Sequence, residues 1–466
     1  MNTPSDRADQ RTIVASVSED KIAAYNAQRS VKNTDSLCYA PYVNLYFGRL
    51  GKVYACCHNR DHYVGLYPQQ SIQEIWNGEK ITELRNHLKA NNLSLGCQHC
   101  QYDMDVCNYS QVAANHFDKL PPQTGYPRMM EFELDNTCNL ECGMCNGQLS
   151  SAIRKNRDKL PPIPSKYDST FVEQLKPYLP HLLETRFSGG EPFLIPLYFQ
   201  VWEELISVNP SCLISIQTNG TVLNKKLISY LEKGRFEIGV SLDSTEKNTF
   251  EEIRRNAKFE TVMQNVKYFA DYCKKKETTF RLSICVMRNN WKNLPDYINL
   301  CNQLGAYACF HRVTVPSNLS LFSLSSGQIG EIHEHLSQFS WNPKNHLQEV
   351  NTNHYNEYLT QLKQWQADRK ASENRRSEYD TKSLNQLFDV LDEQMMAFAT
   401  RTNYDPQWAV KLIREKTKEM CQHFPVHHHK ELLYLMLSYD AATIFNKFYH
   451  AEVDELVSEI HKRIEP

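Results

Sequence analysis

The sequence lacks a long hydrophobic run, an excess of charge of either sign and an export signal. No stretch approaches the roughly 18 consecutive apolar residues that a transmembrane helix requires. The 52 Lys and Arg residues nearly balance the 54 Asp and Glu residues, so overall charge favours neither nucleic acid nor an anionic membrane as a partner. Residues 1–32 are polar and mixed in charge, which is unlike a signal peptide and predicts a flexible tail on a cytoplasmic protein.

Cysteine, by contrast, is abundant, with 15 residues in a chain of 466. An odd number of thiols in a chain without an export signal argues against a disulfide framework. We therefore expect the thiols to serve chemistry or packing, and several of them are spaced as ligands are. The two spaced sets are Cys38, Cys56, Cys97 and Cys100, and Cys138, Cys142 and Cys145.

Strand-like runs alternate with amphipathic, helix-like runs between residues 122 and 330. Six βα repeats of this kind predict a parallel sheet with helical crossovers, and so a protein of the α/β class. Since a closed eight-stranded barrel needs about 250 residues, the length favours a partial (β/α)6 TIM-like barrel. The predicted strands are 129–134, 184–189, 213–218, 237–243, 280–287 and 308–315.

Two segments of different character flank the predicted barrel. Residues 33–121 are rich in cysteine and aromatic residues, and two short strands in VNLYFGRLGKVYACC followed by a helical stretch predict a small α+β module. Residues 331–466 contain no strand-like alternation and predict a helical C-terminal extension. The predicted order is a tail over 1–32, a module over 33–121, a barrel over 122–330 and helices over 331–466.

Cys138, Cys142 and Cys145 lie in the loop after the first barrel strand, where barrels of this type place their active sites. Thiolates are soft ligands that suit iron-sulfur clusters or zinc. A structural zinc ion takes four ligands, and the nearest other cysteines, Cys107 and Cys212, lie outside this loop. The spacing C-x3-C-x2-C, followed by SGGEP after the second strand, resembles the signature of the radical S-adenosylmethionine (radical SAM) superfamily.

This resemblance implies a [4Fe-4S] cluster at the three cysteines, with S-adenosylmethionine bound to the iron that has no cysteine ligand. Asn219 and Ser241 also have other interpretations, because Thr-Asn-Gly is typical of a turn and Ser or Asp of a helix cap. Met144 stands where the family often has an aromatic residue, and a thioether also packs well on an aromatic ring. The residues implied to contact the cofactor are Ser188, Gly189, Gly190 and Glu191 for the methionine moiety, and Asn219, Ser241 and Arg254 or Arg255 for the ribose or carboxylate.

The N-terminal set provides four thiols and therefore predicts a closed site, although spacing alone leaves zinc and an iron-sulfur cluster both open. The stretches CYAPYVNLYF, GKVYACC, SIQEIWNG and CQHC resemble the auxiliary-cluster modules called SPASM or twitch domains. That resemblance implies a second iron-sulfur cluster, of the [4Fe-4S] type, held by Cys38, Cys56, Cys97 and Cys100. Here the module precedes the barrel, whereas it usually follows it. Cys57 and Cys107 remain alternative ligands.

Together the two resemblances imply an oxidoreductase-like enzyme that cleaves S-adenosylmethionine reductively to a 5′-deoxyadenosyl radical. That radical would take a hydrogen atom from a substrate inside the barrel, and an auxiliary cluster favours oxidation or cross-linking of a peptide or protein side chain. A first alternative is oxidation of a small natural-product alcohol such as a sugar or cyclitol. A second alternative is a non-catalytic zinc or iron-sulfur scaffold. The implied partners are the substrate and an electron donor such as flavodoxin or ferredoxin, without nucleic acid or membrane.

The remaining cysteines are expected to pack in the core, which is the usual place of a free thiol. A radical enzyme can also use a thiol as hydrogen-atom donor, and the sequence leaves open whether any of these thiols faces the barrel interior. Tyr307 and His311 flank the sixth strand and could line a substrate pocket, but core packing is the favoured interpretation. The histidine-rich tract 423–430 is interpreted as exposed surface. The remaining cysteines are Cys212, Cys285 and Cys309 on strands, Cys273 and Cys301 on helices, and Cys421 in the extension.

Overall fold

The computed structural model describes residues 17–439 except 32–33, 106, 110–111, 123–124 and 402–404, together with scattered positions from 441 to 460. No helix in this part of the chain is both long and apolar enough to cross a membrane. The strands are β1 (Asn44–Gly48), β2 (Lys52–Tyr54), β3 (Gly65–Leu66), β4 (Met129–Glu133), β5 (Glu184–Phe187), β6 (Leu213–Thr218), β7 (Arg235–Ser241), β8 (Phe280–Val286) and β9 (Tyr307–Arg312).

Helices connect the strands and continue the chain after β9. The N-terminal module holds α1 (Glu19–Gln28), α2 (Ala40–Val43), α3 (Ile72–Trp76), α4 (Glu79–Lys89) and α5 (Gln98–Asp105). The barrel holds α6 (Ser151–Asn156), α7 (Ser169–Leu175), α8 (Pro196–Val208), α9 (Lys225–Lys233), α10 (Lys247–Ile253), α11 (Phe259–Lys276) and α12 (Leu294–Leu304). After β9 come α13 (Ser326–Leu336), α14 (His346–Asp380), α15 (Leu384–Arg401), α16 (Pro406–Gln422) and α17 (His429–Leu437).

One sheet contains all nine strands, in the order β3-β2-β1-β4-β5-β6-β7-β8-β9. Strands β4 to β9 are parallel to their neighbours, which confirms the predicted partial barrel of six βα units. The module does not stand apart from this sheet. Its β1 pairs in parallel with β4, while β2 and β3 follow as antiparallel strands. The barrel sheet therefore has seven parallel strands, one of them supplied by the N-terminal module.

Side chains alternate between the two faces of the sheet, as the strand period requires. The outer face is apolar and packs on the helices; Phe132 and Phe187 stack at 4.8 Å, and Trp202 of α8 meets Phe187 at 5.5 Å. Burying each such ring fully contributes about 1.5–3 kcal/mol. We call the opposite face, which carries residues such as Glu131 and Gln217, the inner face. This alternation makes the barrel interior polar, and the apolar outer face packs against the helices.

The described residues fall into two units. The first comprises residues 17–324 and 331–362, and the second comprises residues 325–330 and the described residues from 363 onward. Within the first unit, Asn351 of α14 accepts from Ala308 N and donates to Ala306 O, both at the edge of β9. The second unit has its own helical core, which includes Leu387, Leu391, Met395, Ile413, Leu432 and Leu433.

The predicted flexible tail is wrong for its C-terminal half, where Glu19–Gln28 form α1. Ile22 and Tyr25 of this helix are buried, and the Arg29 and Asp118 side chains form a fully buried ion pair, with Nη2 to Oδ1 at 2.7 Å. Most residues of this segment are polar, so its average composition does not reveal the few side chains that anchor it. Residues 1–16 and 32 lie outside the described residues.

Candidate functional site

The carboxyl ends of β4 to β9 meet at one edge of the sheet because these strands are parallel. The three-cysteine loop follows β4, the SGGEP loop follows β5, Asn219 follows β6 and Asp243 follows β7. Four loops that are distant in sequence thus meet at this edge. The predicted cofactor residues are therefore gathered by the strand direction, as in other βα barrels.

Backbone hydrogen bonds attach the three-cysteine loop to the turn that follows α10. Glu141 N donates to Arg255 O at 3.1 Å, and Gly143 N donates to Ile253 O at 2.8 Å. Cys138 N donates to Ser151 Oγ at 3.0 Å, at the start of α6. Both ends of the loop are consequently held by elements that come later in the chain.

Two nitrogen donors face sulfur atoms in this loop. Arg254 Nη1 lies 3.9 Å from Cys142 Sγ, and Asn219 Nδ2 lies 3.9 Å from Cys138 Sγ. Burial raises the pKa of the Cys142 thiol to about 12, while the guanidinium of Arg254 acts in the opposite direction. The thiolate is the form that ligates iron. Three thiols with a cation beside them are a donor set that fits an iron-sulfur cluster.

Arg254 is held against Cys142 by Asp243, a residue that the sequence pattern did not single out. Arg254 Nε lies 2.7 Å from Asp243 Oδ2, and the Asp243 side chain is fully buried. Asp243 Oδ1 also accepts a hydrogen bond from Cys285 N at 2.7 Å. In the sequence, Asp243 lies two residues after Ser241, and no local pattern distinguishes it as a charge partner. The buried aspartate compensates the arginine charge and fixes its orientation.

Glu191 is fully buried and connects two loops of the site. Its Oε1 accepts from Thr218 Oγ1 at 2.6 Å, and its Oε2 accepts from Asn219 N at 2.7 Å. Burial raises the pKa of this carboxyl to about 7, although these hydrogen bonds act the other way. Both oxygens already have protein partners, so the side chain positions the SGGEP loop against the Asn219 turn.

Gly190 allows the SGGEP loop to approach the chain that leads to Cys138. Glu191 N donates to Thr137 O at 2.7 Å, and Gly190 N donates to Asp135 O at 3.1 Å. A Cβ atom on Gly190 would lie 2.1 Å from Thr137 O, so only glycine fits. Gly189 has φ +106, a conformation that favours glycine for a second reason. Ser188 begins this loop and donates its N–H to Phe132 O.

Ser241 lies on the inner face at the end of β7. Its Oγ accepts from Gln217 Nε2 at 2.9 Å, which places it in the barrel wall beside Gln217. Met144, within the three-cysteine loop, packs against an apolar group formed by Ile253, Met287 and Val313. This group was not visible in the sequence because its members come from three separate segments, the end of α10 and the loops after β8 and β9.

Cys38, Cys56, Cys97 and Cys100 line one pocket in the N-terminal module. The other walls are mainly apolar, with His58, Asn59 and His99 as polar neighbours, and burial raises the pKa of Cys56 to about 12. Within the ranges described, no three Cys, His, Asp or Glu side chains converge as ligands of a single ion do. Four thiols around a shared space fit a cluster that bridges them.

Cys57 and Cys107, the two alternative ligands, do not line this pocket. Cys107 is exposed, and the hydroxyl of Tyr109 donates to its sulfur at 3.5 Å. Cys57 interacts electrostatically with Glu131 of the inner face, with its neighbour Cys56 and with Arg186. The structure therefore brings together the four thiols of the predicted set and leaves these two outside it.

The two thiol sets lie at opposite ends of the parallel strands. The pocket is built around the start of β1 and the end of the antiparallel β2, at the amino end of β4, whereas the three-cysteine loop follows its carboxyl end. β4 has five residues, and a strand rises about 3.3 Å per residue, which separates the two ends by roughly 15 Å. The barrel interior lies between them.

Two ion pairs lie on the inner face between the two thiol sets. Arg281 contacts Glu237 and donates to Ser215 Oγ at 3.0 Å, while Arg186 Nε lies 2.7 Å from Glu184 Oε1. Each pair is neutral overall, and burial raises the pKa of a further carboxyl on this face, that of Glu131. His116, which contacts Arg186 at 2.6 Å, has a pKa lowered to about 3 by burial and by that arginine, and is neutral.

Four of the six remaining cysteines are buried as predicted; these are Cys212, Cys273, Cys301 and Cys421. Cys285 and Cys309 are only partly buried and lie on the inner face, although Cys285 also packs against the apolar group of Met144. Tyr307 and His311 lie on the same face of β9, and His311 is exposed. In the tract 423–430, Phe424 alone is buried.

Two family models match the chain. The radical SAM superfamily model matches residues 132–301, and the SPASM model, an iron-sulfur cluster-binding domain, matches residues 38–101. These ranges contain both thiol sets. The radical SAM domain implies a [4Fe-4S] cluster and S-adenosylmethionine as cofactors, and the SPASM domain implies additional iron-sulfur clusters.

Curated relatives match the chain over part of its length. The AdoMet-dependent heme synthase of Methanosarcina barkeri is 24% identical over 200 residues, covering 42% of this chain and 52% of that protein. The probable GTP 3′,8-cyclase of Methanocaldococcus jannaschii is 26% identical over 182 residues, covering 38% and 56%. The cysteine-type anaerobic sulfatase-maturating enzyme of Clostridium novyi is 33% identical over 97 residues, covering 18% and 25%. The chain spans about half the length of the first two relatives.

Among solved structures, native anSMEcpe with bound AdoMet matches with a TM-score of 0.34 and 18% identity, covering 45% of this chain and 60% of that one. SuiB of Streptococcus suis bound to its precursor peptide SuiA matches with a TM-score of 0.34 and 15% identity, covering 51% of each chain.

Proposed function

The chain belongs to the radical SAM superfamily and has a SPASM domain before its barrel, and from this premise we propose that it oxidises or cross-links a peptide or protein side chain. S-adenosylmethionine, held at the three-cysteine loop, would on one-electron reduction supply a 5′-deoxyadenosyl radical, and this radical would initiate removal of a hydrogen atom from carbon. The residues of this chain hold that cofactor, exclude water and position the substrate.

The loops at the carboxyl edge divide this work between them. Cys138, Cys142 and Cys145 provide the thiolates, and Arg254 with Asn219 stabilises their negative charge. The SGGEP loop, positioned by Glu191, receives the amino acid moiety of S-adenosylmethionine with its backbone. Met144 and its apolar group provide a surface for the adenine ring.

The observation that carries the proposal is the placement of two thiol sets at opposite ends of one polar barrel interior. A substrate in that interior lies between the radical site and the auxiliary site. A second redox centre there suits a net oxidation, in which the substrate loses an electron as well as a hydrogen atom. Reducing equivalents for the first site come from an electron donor of the flavodoxin or ferredoxin kind.

The charge pattern of the inner face supports a neutral polar substrate group. Glu237 pairs with Arg281 and Glu184 pairs with Arg186, so neither arginine is available alone for a phosphate. This disfavours a nucleotide substrate of the kind named for the GTP cyclase relative. A hydroxyl or amide side chain of a peptide suits the wall better, and the sulfatase-maturating relative is named for a protein substrate.

Anaerobic reconstitution with iron and sulfide tests the catalytic proposal. Two [4Fe-4S] clusters predict about eight iron atoms per chain. Addition of S-adenosylmethionine and dithionite then yields 5′-deoxyadenosine. Cys142→Ala abolishes the nucleoside while leaving about half of the iron. Bound zinc without nucleoside release would support the scaffold alternative instead.

The substrate class is tested with defined mixtures. The reconstituted enzyme is incubated with a peptide library that carries Ser, Thr, Cys, Asn and Tyr side chains, or with a panel of sugars and cyclitols. Mass spectrometry of the peptides is expected to show a loss of about 2 Da, dependent on S-adenosylmethionine. The same loss in the alcohol panel alone would contradict the peptide proposal.

A further inference from the structure

Two thiols on neighbouring strands line the barrel interior near the three-cysteine loop. β8 and β9 pair in parallel, with Ser283 opposite Cys309 and Cys285 opposite His311. Cys285 and Cys309 both keep accessible surface, whereas the intervening Ile284 is fully buried on the outer face. The Cα atoms of Cys285 and Cys309 are separated by one interstrand spacing and two residue rises, which amounts to about 8 Å. The two cysteines therefore form a thiol pair on the inner face.

Cys285 is the member of the pair that reaches the radical site. Its side chain packs against the same apolar group as Met144, the residue immediately before Cys145. Its backbone N–H donates to Asp243, which in turn holds Arg254 against Cys142. The position of the thiol is thus set by the same contacts that orient the cluster ligands.

An unpaired polar group lies behind the same wall. Tyr297 of α12 is fully buried, and its hydroxyl has no hydrogen-bond partner in the part of the chain that the structure describes. The phenol interacts electrostatically first with the buried Cys301, and then with Cys309 and Asp243. A buried donor without a partner calls for an explanation, and a sulfur whose protonation or oxidation state changes during turnover would provide an acceptor for it.

We propose that the thiol of Cys285 donates its hydrogen atom to the 5′-deoxyadenosyl radical, so that the radical passes into the barrel interior as a thiyl. The inference rests on the proposed cleavage of S-adenosylmethionine. In this step a C–H bond forms in 5′-deoxyadenosine and the S–H bond of Cys285 breaks. The unpaired electron moves from carbon to sulfur, and no other electron or proton is gained or lost.

The chemistry of the thiol favours this direction. An S–H bond is weaker than the primary C–H bond that forms, so transfer to the nucleoside radical is downhill. A cysteine thiol is mostly protonated at neutral pH, and its hydrogen exchanges with solvent. The thiyl can then take a hydrogen atom from an activated C–H bond of the substrate, which restores the thiol. Cys309 lies on the neighbouring strand β9, opposite Ser283, and adds a second thiol to the inner face.

Turnover in D2O without substrate tests the donor directly. The reconstituted full chain, given S-adenosylmethionine and dithionite, is expected to yield mainly monodeuterated 5′-deoxyadenosine. Cys285→Ser keeps the size and an exchangeable hydrogen, but its O–H bond is too strong to donate. This variant is expected to lower the monodeuterated fraction at least tenfold, whereas Cys273→Ser, a buried thiol of α11, leaves it unchanged. A mostly unlabelled nucleoside in the parent chain, or equal labelling in Cys285→Ser, would overturn the inference.

A second measurement does not depend on turnover. Iodoacetamide is expected to alkylate Cys285 in the reconstituted protein, and saturating S-adenosylmethionine is expected to slow that reaction at least tenfold, while Cys273 stays unmodified. Equal alkylation with and without S-adenosylmethionine would overturn the placement of Cys285 at the radical site. If no nucleoside forms but alkylation is still suppressed, cleavage fails while the placement stands. The two failures are thereby distinguished, and iron content checks that each variant folds.

Discussion

Arg254 lies between Cys142 and Asp243, with Nη1 3.9 Å from the sulfur and Nε 2.7 Å from the carboxylate. All three side chains are buried. One guanidinium therefore compensates a carboxylate and a candidate thiolate ligand at once. Removal of either partner leaves a buried charge unpaired, and this relationship gives the first prediction.

Arg254→Gln is expected to destabilise the fold by about 3–5 kcal/mol, because Asp243 then lies buried without a counter-charge. Urea unfolding of the variant and the parent chain measures the difference. The double variant Arg254→Gln, Asp243→Asn removes both charges and is expected to recover part of the loss. Arg255→Gln, at the neighbouring exposed position, serves as the control. A double variant no more stable than Arg254→Gln would show that charge pairing is not the cause.

Gly190→Ala is expected to weaken S-adenosylmethionine binding at least tenfold. The added Cβ would lie 2.1 Å from Thr137 O, which forces the SGGEP loop away from the three-cysteine loop. Equilibrium binding to the reconstituted protein measures the effect. Gly327→Ala in α13 is a matched control, since its nearest atom would be 3.9 Å away. Unchanged affinity in Gly190→Ala would mean that this loop does not hold the cofactor.

Glu191 makes stability depend on pH. The pKa of its carboxyl is raised from 4.5 to about 7 by burial. Between these values the folded state binds the proton more tightly than the unfolded chain, so its contribution is present below pH 4.5 and is lost as the pH rises to about 7. The loss amounts to roughly 3 kcal/mol.

Urea unfolding of the protein before reconstitution, at several pH values from 4.5 to 8, measures this dependence. Glu191→Gln is expected to flatten it in that window. The variant keeps a carbonyl acceptor for Asn219 N or Thr218 Oγ1, so the loops remain connected. A curve of the same slope in parent and variant would assign the pH dependence to other groups.

The set of cysteines that line the auxiliary pocket predicts which substitutions lower the iron content. Cys97→Ala is expected to lower bound iron by about half, because Cys97 lines the four-thiol pocket. Cys57→Ala and Cys107→Ala are expected to leave iron content unchanged, because neither residue lines it. Iron and sulfide analysis after anaerobic reconstitution distinguishes them. Loss of iron in Cys57→Ala would mean that a thiol of the inner face replaces one of the four.

Local patterns predicted the elements well. The six barrel strands agree with the observed ones within about three residues at their ends, since apolar runs and βα alternation are properties of neighbouring residues. The spacing of the cysteines likewise indicated two sites. What the sequence could not show were contacts between distant loops, such as Asp243 with Arg254 or Glu191 with Thr218, because no local period encodes them.

The module and tail illustrate the same limit. The hydrophobic pattern identified β1 and β2 as a hairpin, but it contained no information about which strand β1 would pair with on its other side. Arg29 lies in the segment that was predicted to be a flexible tail, and its ion-pair partner Asp118 is far along the chain. For Cys285 and Cys309, residue type favoured the core, whereas strand parity places them on the inner face.

The parallel pairing of β1 with β4 also has a consequence for how the chain tolerates truncation. A chain that began at residue 122 would expose the backbone donors and acceptors of β4 as an unpaired sheet edge next to the three-cysteine loop. Unpaired edges of this kind promote association between copies of a protein. The strand that covers this edge, β1, is connected to Cys38 through α2 and to Cys56 through β2, and both thiols line the auxiliary pocket. Loss of the auxiliary cofactor is therefore expected to weaken the pairing of β1 with β4. When air oxidises the cluster, we expect aggregation to begin at this sheet edge.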